Sequence, residues 1–238
     1  MKQSLLEDFF SKHSHKTPNL QSLPNDVNAD WIVNRSGVPY LVLPILAPFN
    51  TMLDEARNLD SLFVEHRGND SEGWASLAIH GISSQHTDHY QVYPEYAELT
   101  NDQVPYAWTE IKDRCPVTVD FFKNHFPYDV YHRVRFMRLS PGGYILPHSD
   151  SPDLGLRAVN FSLNNPNGCD FVFEENGKVP FQNSGSAIMV ANGYKHSVWN
   201  RSNEYRYHII IHGFARESYG KFESLLIKSY QSLAPMVV

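Results

Sequence analysis

The sequence predicts a mainly β chain with flanking helices, its second half closed into an antiparallel sandwich or barrel. Three observations predict it. Seven short β-type runs crowd residues 130–214, and Gly, Asn, Pro and Ser clusters such as SPGG, SPDLG, NNPNG and NRSN separate them. Aromatic residues reach 13%, and flat rings pack well on a pleated surface.

The elements follow in chain order. Residues 1–30 read as an N-terminal arm: a short amphipathic piece (Leu5, Leu6, Phe9, Phe10), helical or loose, then an Asn/Pro-rich run. Residues 31–238 read as one domain, with helical and strand support over 31–127, the β core over 128–214 and a last helix over 215–238. Within the support, PYLVLPIL (39–46) is a β-type run and FNTMLDEARNLDSLFVEH (49–66) has a helical apolar period. WASLAIHG (74–81) is a further strand, and 106–126 is mixed and mostly helical, broken by Pro116. The core strands are VYHRVRFMRL (130–139), YILPHSD (144–150), LRAVNFSL (156–163), CDFVFE (169–174), GSAIMV (185–190), YKHSVWN (194–200) and EYRYHIIIHGF (204–214). ESYGKFESLLIKSYQSL (217–233) packs outside as a helix.

Composition narrows the function. With 238 residues, 42% apolar and 19% charged, the chain supports a sizeable core. A net charge of −6 argues against a nucleic-acid partner, although His132, Arg133, Arg135 and Arg138 form a local basic group. That group is read as the polar side of a strand or as part of a pocket. Two cysteines, Cys115 and Cys169, exclude a disulfide framework and read as idle thiols in a reducing compartment. The opening MKQSLLEDFF places Glu7 and Asp8 where a signal peptide needs an apolar run, and no stretch reaches membrane-spanning length. A soluble, cytoplasmic protein is expected.

The chemistry starts at HSD, 148–150. In a strand, residues two apart share a face, so His148 and Asp150 can aim at one metal. His196, in YKHSVWN, supplies a third donor if its strand sits opposite. Two imidazoles and a carboxylate on one octahedral face are the ligand set of non-haem iron(II) oxygenases, and they leave positions for a 2-oxo acid and dioxygen. Taken alone this is weak, since HxD triplets arise by chance and a strand histidine is often merely packed. Arg206, ten positions after His196, strengthens it: a diacid chelated at one end needs a cation at the other, and Arg offers a planar charged fork. Arg206, His208, Ile210 and His212 share one strand face, and Tyr205, Tyr207, Ile209 and Ile211 the other. The alternation leaves open whether Arg206 points inward or to solvent.

From RLSPGGYILPHSD through RAVNFSL, GCDFVF and GSAIMVANGYKHSVWN to YRYHIIIHG, roughly residues 133–214, the chain resembles the aspartyl/asparaginyl β-hydroxylase family of iron(II)/2-oxoglutarate oxygenases. A fainter echo lies in GWASLAIHG. The resemblance implies a double-stranded β-helix (jelly-roll, cupin-like) core and a dioxygenase using Fe(II), 2-oxoglutarate and O2. His148 and His196 match the family's iron ligands, Arg206 the holder of the distal carboxylate, and Arg157 a second co-substrate arginine. Read from the residues, Arg157 shares a face with Val159, Phe161 and Leu163, an odd place for an unpaired charge, and a strand-edge salt bridge is the alternative.

Two departures bear on that carry-over. Asp150 stands where the best-known members have Gly, which restores a third ligand. Met137 and Val159 replace a Ser and a His near the co-substrate. By analogy the substrate is an amino acid, free or within a peptide, or a related small molecule. The competing readings are a non-catalytic cupin-like module binding a metal or carboxylate, and a zinc or manganese site. Among the remaining polar residues, Asn160 and Ser162 are expected outside, Trp74 and His80 could border the substrate, and Tyr144, Asn192 and His208 lie near the mouth.

Overall fold

The structure is a computed structural model that describes residues 2–19 and 27–233; the Asn/Pro-rich stretch at 20–26 lies outside the described residues. Helix α1 (Lys2–His13) is docked rather than loose. It buries Leu6, Phe9 and Phe10 against Tyr144 and Val172, and Phe10 meets Trp199 edge-on at 5.7 Å. Helix α2 (Ala29–Asn34) begins where the Asn28 side chain accepts from the Trp31 N–H at 2.9 Å, an N-cap. Strand β1 (Tyr40–Leu43) and helix α3 (Phe49–Asn58) follow.

The helical period over 49–66 outruns the helix. After Leu59 the backbone tightens into a 3₁₀ turn (Asp60–Leu62), because Val64 and Glu65 form strand β2 (Val64–Glu65) against Ser76 and Ala75. Their partner is β3 (Ser71–Gly81), which also carries β4 (Ala107–Trp108). Over 106–126 the expected helix is confined to α4 (Pro116–Asn124), and Pro116 opens it instead of breaking it. A proline in the first turn loses no hydrogen bond and arrives with a helical φ.

The two strands expected at 130–139 and 144–150 are one bent strand, β5 (Val130–His148). SPGG is a bend inside it rather than a turn. Gly142 adopts φ 74°, and a Cβ at Gly143 would stand 2.8 Å from the Glu72 carbonyl, so only glycine lets the strand bend while staying against β3. The remaining strands are β6 (Ala158–Asn164), β7 (Cys169–Phe173), β8 (Gly177–Lys178), β9 (Ser186–Val190), β10 (His196–Asn200) and β11 (Arg206–Phe214), before the closing helix α5 (Tyr219–Leu233).

All pairings are antiparallel. The first half of β5 joins the larger sheet, β3-β5-β11-β6-β9-β1, and its second half joins a smaller one, β5-β10-β7-β8. The two sheets face each other as the double-stranded β-helix the resemblance implies. Alternation divides each strand of the larger sheet. Val159, Phe161 and Leu163 of β6 and Tyr207, Ile209 and Ile211 of β11 turn to α3, α4 and α5 in the main core. Ala158, Ile188, Val190, Met137 and Leu139 turn inward to meet Phe171, Phe173 and Val198 from the smaller sheet. Cys115 and Cys169 are free and buried, as expected, and burial pushes their thiols up to about 12 and about 11.

One carboxylate holds the helical layer together. The Glu55 side chain on α3 accepts from the N–H groups of Val117 (2.8 Å) and Thr118 (2.9 Å) and from the Thr118 hydroxyl (2.6 Å), capping α4 from outside its own sequence. Glu55→Ala leaves buried donors unmet and should cost about 2–4 kcal/mol in urea unfolding, and Glu55→Gln roughly half of that. Asp129 plays a similar part before α5, accepting from the Ser218 hydroxyl and the Arg216 and Glu217 N–H groups, which lowers its pKa from 3.8 to about 2. A depressed carboxylate stabilises above its unfolded value and stops doing so as pH falls through its folded one. The stability gap between wild type and Asp129→Ala should therefore be full above pH 3.8 and close as pH approaches about 2, as followed by denaturant titrations across that range.

Candidate metal centre

His148 ends β5 and His196 begins β10, and the register sets them directly opposite each other, ring centroids 4.4 Å apart. Each ring is oriented by the same device. Nδ1 lies 2.8 Å from the carbonyl two residues earlier, Leu146 for His148 and Tyr194 for His196, so an N–H there donates to the chain and Nε2 keeps its lone pair. Phe171 stacks on His196 at 5.0 Å and 5°, fixing the ring plane.

Asp150 joins them, but not by strand alternation, because β5 stops at His148. Its N–H donates to the Asn192 carbonyl at 2.9 Å, and its Oδ1 accepts from Arg67 Nη1 at 2.6 Å. Those contacts turn the carboxylate back to 3.4 Å from His148 Nε2 and 3.8 Å from His196 Nε2. One donor atom from each of the three residues falls within 4.8 Å of the others.

The electrostatics follow from this crowding. Burial alone would raise the Asp150 pKa, yet the His148 hydrogen bond, His196 and Arg67 together hold it well below the carboxylate range. His148 goes up: burial opposes its charge, but the Asp150 hydrogen bond and charge outweigh that. Burial, helped by His148, lowers His196 to about 4, a neutral imidazole. Two neutral-capable imidazoles and an ionised carboxylate suit a divalent first-row metal such as iron(II).

A cavity of about 530 Å³ runs from this cluster to Arg206. The guanidinium points inward, 5% exposed, and burial lowers its pKa. Its partners are His208 Nδ1 at 2.8 Å, the Asn165 side-chain oxygen at 3.3 Å and the Phe181 ring; no carboxylate pairs with it among the described residues. A buried guanidinium without an anion is costly, so the closed end of the barrel fits the far carboxylate of a diacid.

The other expectations divide. Arg157 lies just before β6 and lines the rim of the cavity, where its guanidinium meets Asp153 and the Asn34 side-chain oxygen at 2.7 Å, the strand-edge salt bridge of its alternative reading. It does not share the face of Val159 and Phe161, because the strand alternation begins only at Ala158. Asn160 is not outside: it lines the cavity together with Ala158, whereas Val159 packs under the helices. Met137 and Trp74 border the cavity; His80 instead packs on Trp108, and Tyr144 under α1.

Sequence reasoning missed Arg67 and the depth of Arg133 and Arg135, which line the same cavity. The alternation Arg133, Arg135, Met137, Leu139 was the available signal. Arg138, of opposite parity, points away and pairs with Asp60 at 2.5 Å.

Several solved oxygenases show a distant likeness. A Pseudomonas putida prolyl-4-hydroxylase is 13% identical with a TM-score of 0.41, over 91% of this chain and 100% of that one. A Trichoplax adhaerens prolyl hydroxylase is 14% identical at 0.41, over 76% and 85%. A collagen prolyl hydroxylase of Paramecium Bursaria Chlorella virus-1 is 14% identical at 0.40, over 76% and 98%. Among curated proteins, none matches this sequence. The sequence profile of the aspartyl/asparaginyl beta-hydroxylases matches residues 45–215, from the loop before α3 to the end of β11 and therefore across both sheets and every residue of the cluster. The chain belongs to the aspartyl/asparaginyl β-hydroxylase family of iron(II)- and 2-oxoglutarate-dependent oxygenases.

Proposed function

We propose that His148, Asp150 and His196 are the iron(II) ligands of this hydroxylase and that Arg206 receives the distal carboxylate of 2-oxoglutarate. The observation that carries the assignment is the convergence of three donor atoms within 4.8 Å at one end of a cavity whose other end is an unpaired, buried guanidinium. When bound, the metal and 2-oxoglutarate supply oxidative decarboxylation, which divides dioxygen between succinate and a hydroxylated product.

The chain's own residues provide the rest. The Leu146 and Tyr194 carbonyls hold both rings in the tautomer that presents Nε2. Arg67 donates to Oδ1 of Asp150 at 2.6 Å and the Asn192 side-chain amide to Oδ2 at 3.4 Å, and together they orient the carboxylate toward the two rings. Arg206, kept rigid by His208 and Asn165, orients the co-substrate along the barrel. Phe171, Val198, Met137 and Ile210 keep water away from the reacting end. The substrate is a small molecule or a peptide residue that enters from the rim. Two free, buried thiols suit the reducing cytoplasm as the place of work.

Anaerobic addition of iron(II) and 2-oxoglutarate should produce the metal-to-ligand absorption band of the chelate. Arg206→Ala should weaken 2-oxoglutarate binding about 30-fold or more, the loss of a charge-assisted pair worth about 2–4 kcal/mol, with iron affinity nearly unchanged. Asp150→Ala and His196→Ala should lose iron itself. An Arg206→Ala protein that binds the co-substrate as wild type does would refute that residue's role.

A further inference from the structure

Across the cavity from the imidazole pair, the larger sheet presents a second and more strongly basic wall. On β5, Arg133 and Arg135 face inward, paired in register with His212 and Ile210 of β11. Arg135 is 5% exposed; one Nη donates to the Thr87 carbonyl at 2.5 Å, and its Nε has no partner. Arg133 makes no hydrogen bond or ion pair among the described residues. His212 Nδ1 is likewise buried without a partner.

Acids to balance these groups are scarce. The cavity carboxylate is Asp150, already engaged by Arg67, and Asp88, outside the cavity lining, stands 3.8 Å from the Arg67 Nε. Burial lowers the Arg135 pKa well below its ordinary value, and the nearby charges of Arg133 and Arg67 add to that. So much unsatisfied charge is expensive unless an anion arrives to meet it.

This wall is not a second view of the co-substrate site. Ile210, opposite Arg135, stands four residues along β11 from Arg206, about 13 Å at 3.3 Å per residue. The rim beside the wall is built by the 82–106 segment, where Tyr90, Asn101 and Tyr106 close on His132, and the Tyr106 hydroxyl donates to the Asn101 side-chain oxygen at 2.9 Å. About 530 Å³ shared with a co-substrate leaves room for a small molecule, not for a folded chain.

We propose that Arg133 and Arg135 form the anion end of the substrate site, and that the substrate is a free small molecule carrying two negative charges. The proposal rests on the iron(II)/2-oxoglutarate reading above, because charge balance sets the number. Iron(II), Asp150, 2-oxoglutarate and Arg206 cancel. Arg67 is met by Asp88, which leaves Arg133 and Arg135 as two cations with no ion pair among the described residues, and a dicarboxylate or a phosphoryl group matches them while its carbon skeleton spans the gap to the metal.

The test uses the metal-free full chain titrated calorimetrically with malonate, inorganic phosphate and acetate, and thermal unfolding of the same samples. Malonate or phosphate should bind and raise the unfolding temperature, at least about tenfold more tightly than acetate. Malonate alone would assign a dicarboxylate, phosphate alone a phosphoryl group. Arg133→Gln and Arg135→Gln should each weaken that binding about tenfold or more, while Arg206→Gln retains it. The unliganded Arg133→Gln protein should unfold at the wild-type temperature or about 2–4 °C above it, since an uncompensated charge has gone; a merely structural arginine gives the opposite sign.

Dianion binding no tighter than acetate, binding that survives both Arg133→Gln and Arg135→Gln, or binding lost only in Arg206→Gln overturns the proposal. The co-substrate reading fails separately, if iron(II) and 2-oxoglutarate give no absorption band with wild type.

Discussion

Positive charge buried without a protein counter-charge is the constraint around which this molecule is arranged. Arg206 and Arg135 are each 5% exposed, and neither pairs with a carboxylate among the described residues. In an interior of low polarity such a group is tolerated only where hydrogen bonds and aromatic faces soften it or where a ligand completes it. Both devices are present. Phe181, Asn165 and His208 surround Arg206, and the Thr87 carbonyl meets Arg135. Neither device supplies an anion, which is why a ligand that carries one fits this interior. That is the physical sense in which the pocket is preorganised: its charges are fixed before the ligands come.

Much of this was legible in the sequence, and the failures have physical causes. The succession of strands was legible from turn chemistry and period-two alternation, and the spacing of His148, Asp150, His196 and Arg206 marked the candidate site. Alternation could not tell which face of β11 was inside, because both are buried: Tyr207, Ile209 and Ile211 under helices, Arg206, Ile210 and His212 along the cavity. The same ambiguity sent Asn160 to the wrong side. SPGG reads locally as a turn, yet Gly142 and Gly143 let β5 bend past β3 without breaking, a tertiary demand that no local pattern reveals. Arg157 looked odd on a strand face because it was placed in a strand; it precedes β6, where a salt bridge to Asp153 costs little.

Asp150 shows how a departure from the family pattern is accommodated. A carboxylate at that position is not enough, since it lies beyond the strand and would be free to point to solvent. Arg67 holds it, and Arg67 is the one non-glycine among the described residues with φ in the left-handed region, at 50°. The strained residue sits between β2 and β3, so the position of the Asp150 carboxylate depends on a hairpin remote in sequence. The motifs of the resemblance reach that hairpin only as the fainter echo in GWASLAIHG, on β3, and not at Arg67 itself. A motif comparison confined to the β core therefore registers the presence of Asp150 but not the support that makes it usable.

The helical half has an energetic role that the chemistry alone would not suggest. A β-sandwich is ordinarily stabilised by the apolar surfaces its two sheets turn toward each other. Here much of that interface is given over to arginines, histidines and empty space for ligands. The compensating burial lies on the outer face of the larger sheet, where Phe161, fully buried, meets Phe121, Phe122 and Phe126 at ring separations of 5.7, 5.3 and 5.5 Å. Glu55 locks α3 to α4 over that face, and α5 continues the layer through Phe222, Leu226 and Tyr230. Each inward residue of β6 and β11 that serves the pocket has a neighbour of opposite parity that serves this outer core. Because one strand carries both, the sheet can hold a polar interior without surrendering its fold, and the helices α3, α4 and α5 on its outer face are what make such an interior sustainable.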